Sequence, residues 1–306
     1  MSWKNPKLLL YIAMADAYAA ACEYLNADET YQVGEALSFN RYLRHPRLQH
    51  RAGQYTDDTE MSIANTKVLL RLPTGPWTTL DFANAYVEEF QYGGRRHGYA
   101  RGFQGLLTEC KDGTELLARV RAHSTKNGAA MRAVPCGVLA SVQDVVRAAM
   151  VQAQVTHNTP SGILSAKAVA LLTYFALYRE EPFEEFRDFY RRCPLQNLGE
   201  LEFMYARWFD TPIVPDVHEP FALTTVRVVF TLLRETDSLL EAMRRILRMG
   251  GDTDSVAAIT WGILSCRHPF EQLPVFMEQG LEDGNPVTGP ERLKSLSTQL
   301  MRIGKE

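Results

Sequence analysis

Residues 248–264 read RMGGDTDSVAAITWGIL, and their reading decides the fold. Two glycines stop one segment, two aspartates follow one residue apart, and a small-residue apolar run comes next. The glycine pair ends a helix that starts near Asp237, because glycine closes a helix without a Cβ penalty. The run behind the aspartates is small and apolar, which lets a helix pack deep. One carboxylate explains itself as a helix N-cap, its oxygen accepting from an unpaired first-turn amide. The second, Asp254, needs another reason.

Working outward, apolar residues recur mostly at helical spacing, as in Leu240, Met243 and Leu247, or Val142, Val145 and Ala149. Alternating strand patterns bounded by hairpin turns are hard to find. Start signals agree: Ser141 and Asp144 resemble a capping box, and Thr159-Pro160 puts a cap before a proline at the first helical position. Longer irregular pieces are expected at about 26–55, 93–102 and 209–220. With no internal repeat and no low-complexity linker, the chain reads as all-α, one domain over residues 1–306.

The formal net charge is -3 with both signs scattered, so no basic stripe marks a nucleic-acid surface and bulk nucleic-acid binding is not expected. Five cysteines, Cys22, Cys110, Cys136, Cys193 and Cys266, are widely spaced and never form C-x-x-C, which suits buried thiols of a reducing compartment. Asp16 and Glu23 interrupt the apolar N-terminal run, which is too short to span a bilayer. The expectation is a soluble, cytoplasmic monomer with no membrane association.

A second acidic pair lies in GQYTDDTEMSIANTKVLL, where Thr56, Asp57 and Asp58 precede a helix carrying Met61, Ala64 and Val68 on one face. The pair is 195 positions from Asp252 (252 minus 57), ample for the two to meet. Capping offers a simpler account: Asp57 with Glu60 fits D-x-x-E, and acids in a first turn gain roughly 0.3–1 kcal/mol from the helix dipole. It explains one carboxylate per helix and leaves Asp58 and Asp254 crowding like charges beside apolar segments. Carboxylate and hydroxyl oxygens without Cys or His suit Mg²⁺ or Mn²⁺ and not Zn²⁺. Four carboxylates balance two divalent ions of a binuclear hydrolytic centre.

These segments resemble the ADP-ribosylglycohydrolases. TDDTEM and GGDTDSVAAITWG look like that family's two metal-binding signatures, and ADAYAAACE, GYARGF, KNGAAMR and THNTPSG follow its other elements in order. The resemblance implies a single compact, orthogonal all-α domain with a central two-magnesium cleft. By position it implies Thr56, Asp57, Asp58, Asp252, Asp254 and Ser255 as metal ligands and Glu23 as an acid/base or gating carboxylate. Ser124, Asn127, Gly128 and His157 would line the ADP-ribose, and Gly98 and Gly102 would belong to a loop whose amides approach its phosphates. Ala15 and Ala19 replace glycines of the first motif, Ser255 replaces a more usual threonine, and Thr125 stands where some serine-specific relatives carry a stacking ring.

The activity so implied is hydrolysis at the anomeric carbon of an ADP-ribosyl group on a protein side chain or another conjugate, releasing ADP-ribose. The alternative is a non-catalytic sensor that binds ADP-ribose or a nucleotide through the same metal site. Local readings compete at single positions: Asn127 as an N-cap, His157 as a structural histidine, and Arg132 paired with an acidic partner. Other enzyme classes lack their motifs, since the chain has no H-D dipeptide, E-x-x-H, G-x-x-x-x-G-K-[ST] or G-x-S-x-G.

Overall fold

The computed structural model describes residues 5–193, 201–216, 218–267 and 271–304. Among them the α-helices run α1 (Leu8–Ala19), α2 (Tyr31–Ala36), α3 (Asp57–Arg71), α4 (Thr79–Tyr92), α5 (Arg101–Glu109), α6 (Gly113–Arg119), α7 (Gly128–Met131), α8 (Val142–Gln154), α9 (Pro160–Tyr178), α10 (Phe186–Arg191), α11 (Phe221–Glu235), α12 (Leu239–Met249), α13 (Thr253–Leu264), α14 (Val275–Gln279) and α15 (Pro290–Arg302). Short 3-10 turns join several of them. No strand occurs among the described residues beyond isolated bridges, so the all-α expectation holds.

A helix without a polar face must be covered on every side. Each residue of α1 and of α13 is buried, and the two lie against one another at the centre of one compact helical domain. Small residues permit this approach: a Cβ on Gly262 would stand 2.9 Å from Ile12 Cγ1 and 3.0 Å from Val134 Cγ1. Ala15 and Ala19 are fully buried in the same centre. Each Leu or Ile sealed there contributes about 1.5–3 kcal/mol relative to exposure. α1 has no side-chain N-cap of its own, and Ser297 of α15 supplies one by accepting from the Leu9 amide at 2.9 Å.

α9 is long and apolar enough to cross a bilayer, yet 78% of that window is buried inside the protein, under α8 and α11. Its entry matches the expectation: Thr159 accepts from the Gly162 amide and Pro160 takes the first position. Ser141 likewise caps α8 through the Asp144 amide at 3.1 Å. On α12 the buried stripe is Leu239, Met243, Ile246 and Leu247, with Leu240 at its edge, a shift of one residue from the sequence reading. All five cysteines are free and buried.

Candidate functional site

The acidic turn before α3 has a defined local cause. Thr56 is extended (φ -100°, ψ -162°) and its Oγ1 accepts from the Asp58 amide at 3.3 Å, so threonine is the N-cap and Asp57 the first helical residue. Glu60 does not complete a capping box. Its carboxylate is taken by Arg96 Nε at 2.9 Å and the Tyr99 hydroxyl at 2.6 Å, a charge-assisted pairing that leaves it turned away from the α3 amides. Asp16, in the middle of apolar α1, accepts from the Thr56 amide at 3.0 Å, the Thr59 amide at 3.1 Å and Thr59 Oγ1 at 2.6 Å. That carboxylate fixes where α3 begins.

The entry to α13 is built differently. Gly250 (φ +69°) and Gly251 (φ +83°) adopt left-handed conformations, and a Cβ on Gly251 would overlap the Ile213 backbone. The turn is pinned by main chain: Ile213 donates to Gly250 O at 3.0 Å, Asp252 to Ile213 O at 2.8 Å and Tyr24 to Gly251 O at 2.8 Å. Asp252 occupies the N-cap position without a side-chain cap bond. Asp254 lies in the first turn of α13, two residues beyond Asp252. The helix entry itself makes them converge.

Glu23, Asp252 and Asp254 bring one carboxylate oxygen each within 4.8 Å of one another. Asp57 and Asp58 line the same cavity of about 650 Å³. Burial, then neighbouring carboxylates, push Asp58 and Asp254 well above the usual carboxylate range, and burial also raises Asp57, Asp252 and Glu23. Asp58 Oδ1 and Asp254 Oδ1 are buried without a hydrogen-bond partner among the described residues. An orphaned carboxylate oxygen is costly unless a cation or proton meets it. Hard oxygen donors in this number could hold Mg²⁺ or a similar ion.

The cavity gathers Glu23, Asp57, Asp58, Gly98, Gly102, Ser124, Asn127, Gly128, His157, Asp252, Asp254 and Ser255. Thr56 sits behind this wall, fully buried, with Oγ1 donating to Asp58 Oδ2 at 3.1 Å. Gly98 (φ +132°) brings its loop against the cluster, where a Cβ would stand 3.3 Å from Asp57 Oδ1. Gly102 lies in the first turn of α5 with open space beside it, so it is not part of the loop that approaches the cluster. Ser124 Oγ accepts from the Lys126 amide at 3.2 Å. Asn127 stands at the N-cap of α7 but caps nothing with its side chain; Nδ2 donates to Asp252 Oδ2 at 2.5 Å. His157 Nδ1 lies 2.6 Å from Thr156 Oγ1.

Sequence reasoning missed several supports. Asp16 carried a signal, a charge inside an otherwise apolar run. His45 and Arg47 carried none: His45 Nε2 lies 2.8 Å from Glu23 O, and Arg47 Nη2 donates to Tyr24 O at 2.6 Å. They secure the bend at Tyr24 (φ +43°), which aims Glu23 at the cluster. Arg132 has no acidic partner among the described residues, contrary to the sequence reading; its side chain bonds Gln152 and Thr156.

Known proteins resemble this chain in sequence and in fold. The family model for ADP-ribosylglycohydrolase matches residues 8–305. The chain is 27% identical to the ADP-ribosylhydrolase ARH3 of Homo sapiens, covering 81% of this chain and 78% of that protein, and 26% identical to its Bos taurus counterpart over the same shares. A protein of Archaeoglobus fulgidus is 26% identical across 99% of this chain and 97% of its own length. A solved structure described as an ADP-ribosylglycohydrolase-related protein complex superposes with a TM-score of 0.67 at 19% identity, covering 98% and 97% of the two chains. The family match and the ARH3 relatives, covering most of the chain, make it a glycosyl-bond hydrolase. This chain belongs to the ADP-ribosylglycohydrolase family.

Proposed function

We propose that this chain is a magnesium-dependent hydrolase that removes ADP-ribose from an ADP-ribosylated acceptor by water attack at the anomeric carbon. The observation that carries the reading is the pair of donorless buried oxygens, Asp58 Oδ1 and Asp254 Oδ1, on carboxylates that line one cavity. The donor set fits two Mg²⁺, or Mn²⁺, held by Thr56, Asp57, Asp58, Asp252, Asp254 and Ser255. Such ions polarise a substrate oxygen and make a water a better nucleophile. Glu23, partly exposed beside Asp252 and Asp254 and raised toward its protonated form, is the residue to take or return the proton.

The rest of the cavity suits the substrate. Phe103, Leu106, Val120 and Phe221 line it with apolar surface suited to a planar base, while Ser124, Asn127, Gly128 and His157 line it beside the acids. Incubation with Mg²⁺ and ADP-ribosylated arginine, serine, nucleobase or nucleic-acid ends tests the reading and identifies the acceptor. Release of ADP-ribose is expected from at least one. In Glu23→Gln turnover is expected to fall about 10²- to 10⁴-fold with Mg²⁺ binding retained. Binding of ADP-ribose without release from any substrate overturns the hydrolase and leaves a sensor.

A further inference from the structure

The cavity-lining side chain with the least expected company is Arg132, which shares that wall with Thr156 and His157. It is 1% exposed, and its guanidinium stands 4.7 Å over the Tyr86 ring. Nε donates to Gln152 Oε1 at 2.6 Å, Nη2 to Gln152 O at 3.0 Å and to Thr156 Oγ1 at 2.9 Å, and Nη1 lies 3.6 Å from Met61 Sδ. Gln152 cannot turn away, because its Nε2 donates to Ala129 O at 2.9 Å. The backbone is fixed too, Asn65 donating to Arg132 O at 2.7 Å.

A guanidinium only donates, so Thr156 Oγ1 accepts from Arg132. Its own hydrogen is left for its other partner, His157 Nδ1, at 2.6 Å. Were Nδ1 the protonated nitrogen, both neighbours would donate to the hydroxyl and its hydrogen would have no acceptor in a buried setting, the costlier arrangement. Nδ1 is therefore an acceptor, and the ring hydrogen sits on Nε2. His157 fills the space that side chains at two glycines would need: a Cβ on Gly162 would stand 2.6 Å from His157 Cβ, and one on Gly128 2.9 Å from Cε1 and 3.2 Å from Nε2. Nε2 has no protein partner among the described residues, and His157, 7% exposed, lines the cavity.

We propose that Arg132 and Thr156 are positioning residues that lock His157 in its neutral Nε2–H tautomer, so that the site offers a fixed hydrogen-bond donor to a ligand oxygen. Burial, with the Arg132 charge behind it, holds the imidazole down to about 3, which keeps this donor neutral across the physiological range. A neutral donor accepts a phosphate or hydroxyl oxygen of the ligand and rejects an N–H at the same place. The ligand's identity rests on the ADP-ribosyl reading above; the tautomer does not.

The test is long-range ¹⁵N–¹H correlation of the histidine rings in the full ligand-free chain, paired with Kd for ADP-ribose in the presence of Mg²⁺. Wild type and Thr156→Ser are expected to show His157 with Nδ1 unprotonated and Nε2 protonated, and equal Kd. In Thr156→Val the hydroxyl is gone, the Nδ1–H form is expected to become populated, and Kd to rise about tenfold, the worth of one well-placed hydrogen bond. Arg132→Lys, which cannot bridge Gln152 and Thr156 at once, is expected to move both readouts the same way. A wild-type Nδ1–H tautomer, or a Thr156→Val variant with unchanged tautomer and Kd, overturns the proposal. If wild type binds no ADP-ribose while the tautomer responds to Thr156→Val and not to Thr156→Ser, the lock stands and the ADP-ribosyl reading falls.

Discussion

The two acidic helix entries look alike in sequence and are supported in opposite ways. At α3 the support comes from side chains: Thr56 caps the helix and Asp16 grips the Thr56 and Thr59 amides. At α13 it comes from main chain: two left-handed glycines lay the turn against Ile213 and Tyr24, and no side chain caps the helix. The contrast teaches that a charged turn can be aimed either by hydrogen-bonding side chains or by torsions only glycine adopts cheaply. It also separates the sensitivities of the two halves.

The largest effect should come from the feature they share. Removing an orphaned carboxylate, Asp58→Ala or Asp254→Ala, is expected to lower kcat by at least about 10³-fold and to abolish the rise in Tm on adding Mg²⁺. The same variants without metal should melt no lower than wild type, because a buried like-charge repulsion is relieved. Undiminished turnover in either would break the symmetry of the pair.

The next effect distinguishes the two. Gly251→Ala introduces a Cβ into the Ile213 backbone as well as a strained torsion, so a stability loss of about 3 kcal/mol or more is expected by denaturant unfolding. Gly250→Ala, with open space around its Cβ, should lose only the torsional part, about 1–3 kcal/mol. Equal losses would show that packing against Ile213 does not hold the α13 turn. Asp16→Asn is milder: one acceptor oxygen remains for three donors, and a loss of about 1–3 kcal/mol with a roughly tenfold weaker Mg²⁺ response is expected. If titration calorimetry found Mg²⁺ affinity unchanged, the α3 entry would be set by its Thr56 cap alone.

Much of this was legible because its signals are local. The glycine stop, the caps at Ser141 and Thr159 and the helical spacing around Met61, Ala64 and Val68 each act within a few residues, and each matches the structure. Both acidic turns were visible as surplus charge beside apolar segments. What was illegible depends on partners distant in sequence. Glu60 fitted a capping pattern, yet Arg96 claims it and shares that guanidinium with Glu282, 186 positions from Arg96. Asn127 reads locally as a cap and in space as a donor to Asp252, 125 positions away. Arg132 was expected to seek a carboxylate; Gln152 of α8 and Thr156 just beyond it bond its guanidinium instead. Placement of single side chains at helix entries is set by tertiary packing, which spacing along the chain does not encode.

The embrace of α1 by α13 has a consequence for a chain emerging from the ribosome. Contacts such as Thr253 Oγ1 to Ala19 O join residues 234 positions apart, and at roughly 5–20 residues per second that interval is on the order of tens of seconds. Throughout it the nascent chain carries an apolar helix whose proper cover has not been synthesised. Helix α1 therefore stays uncovered until α13 and α15 have been made, and holdase chaperones have a long opportunity there.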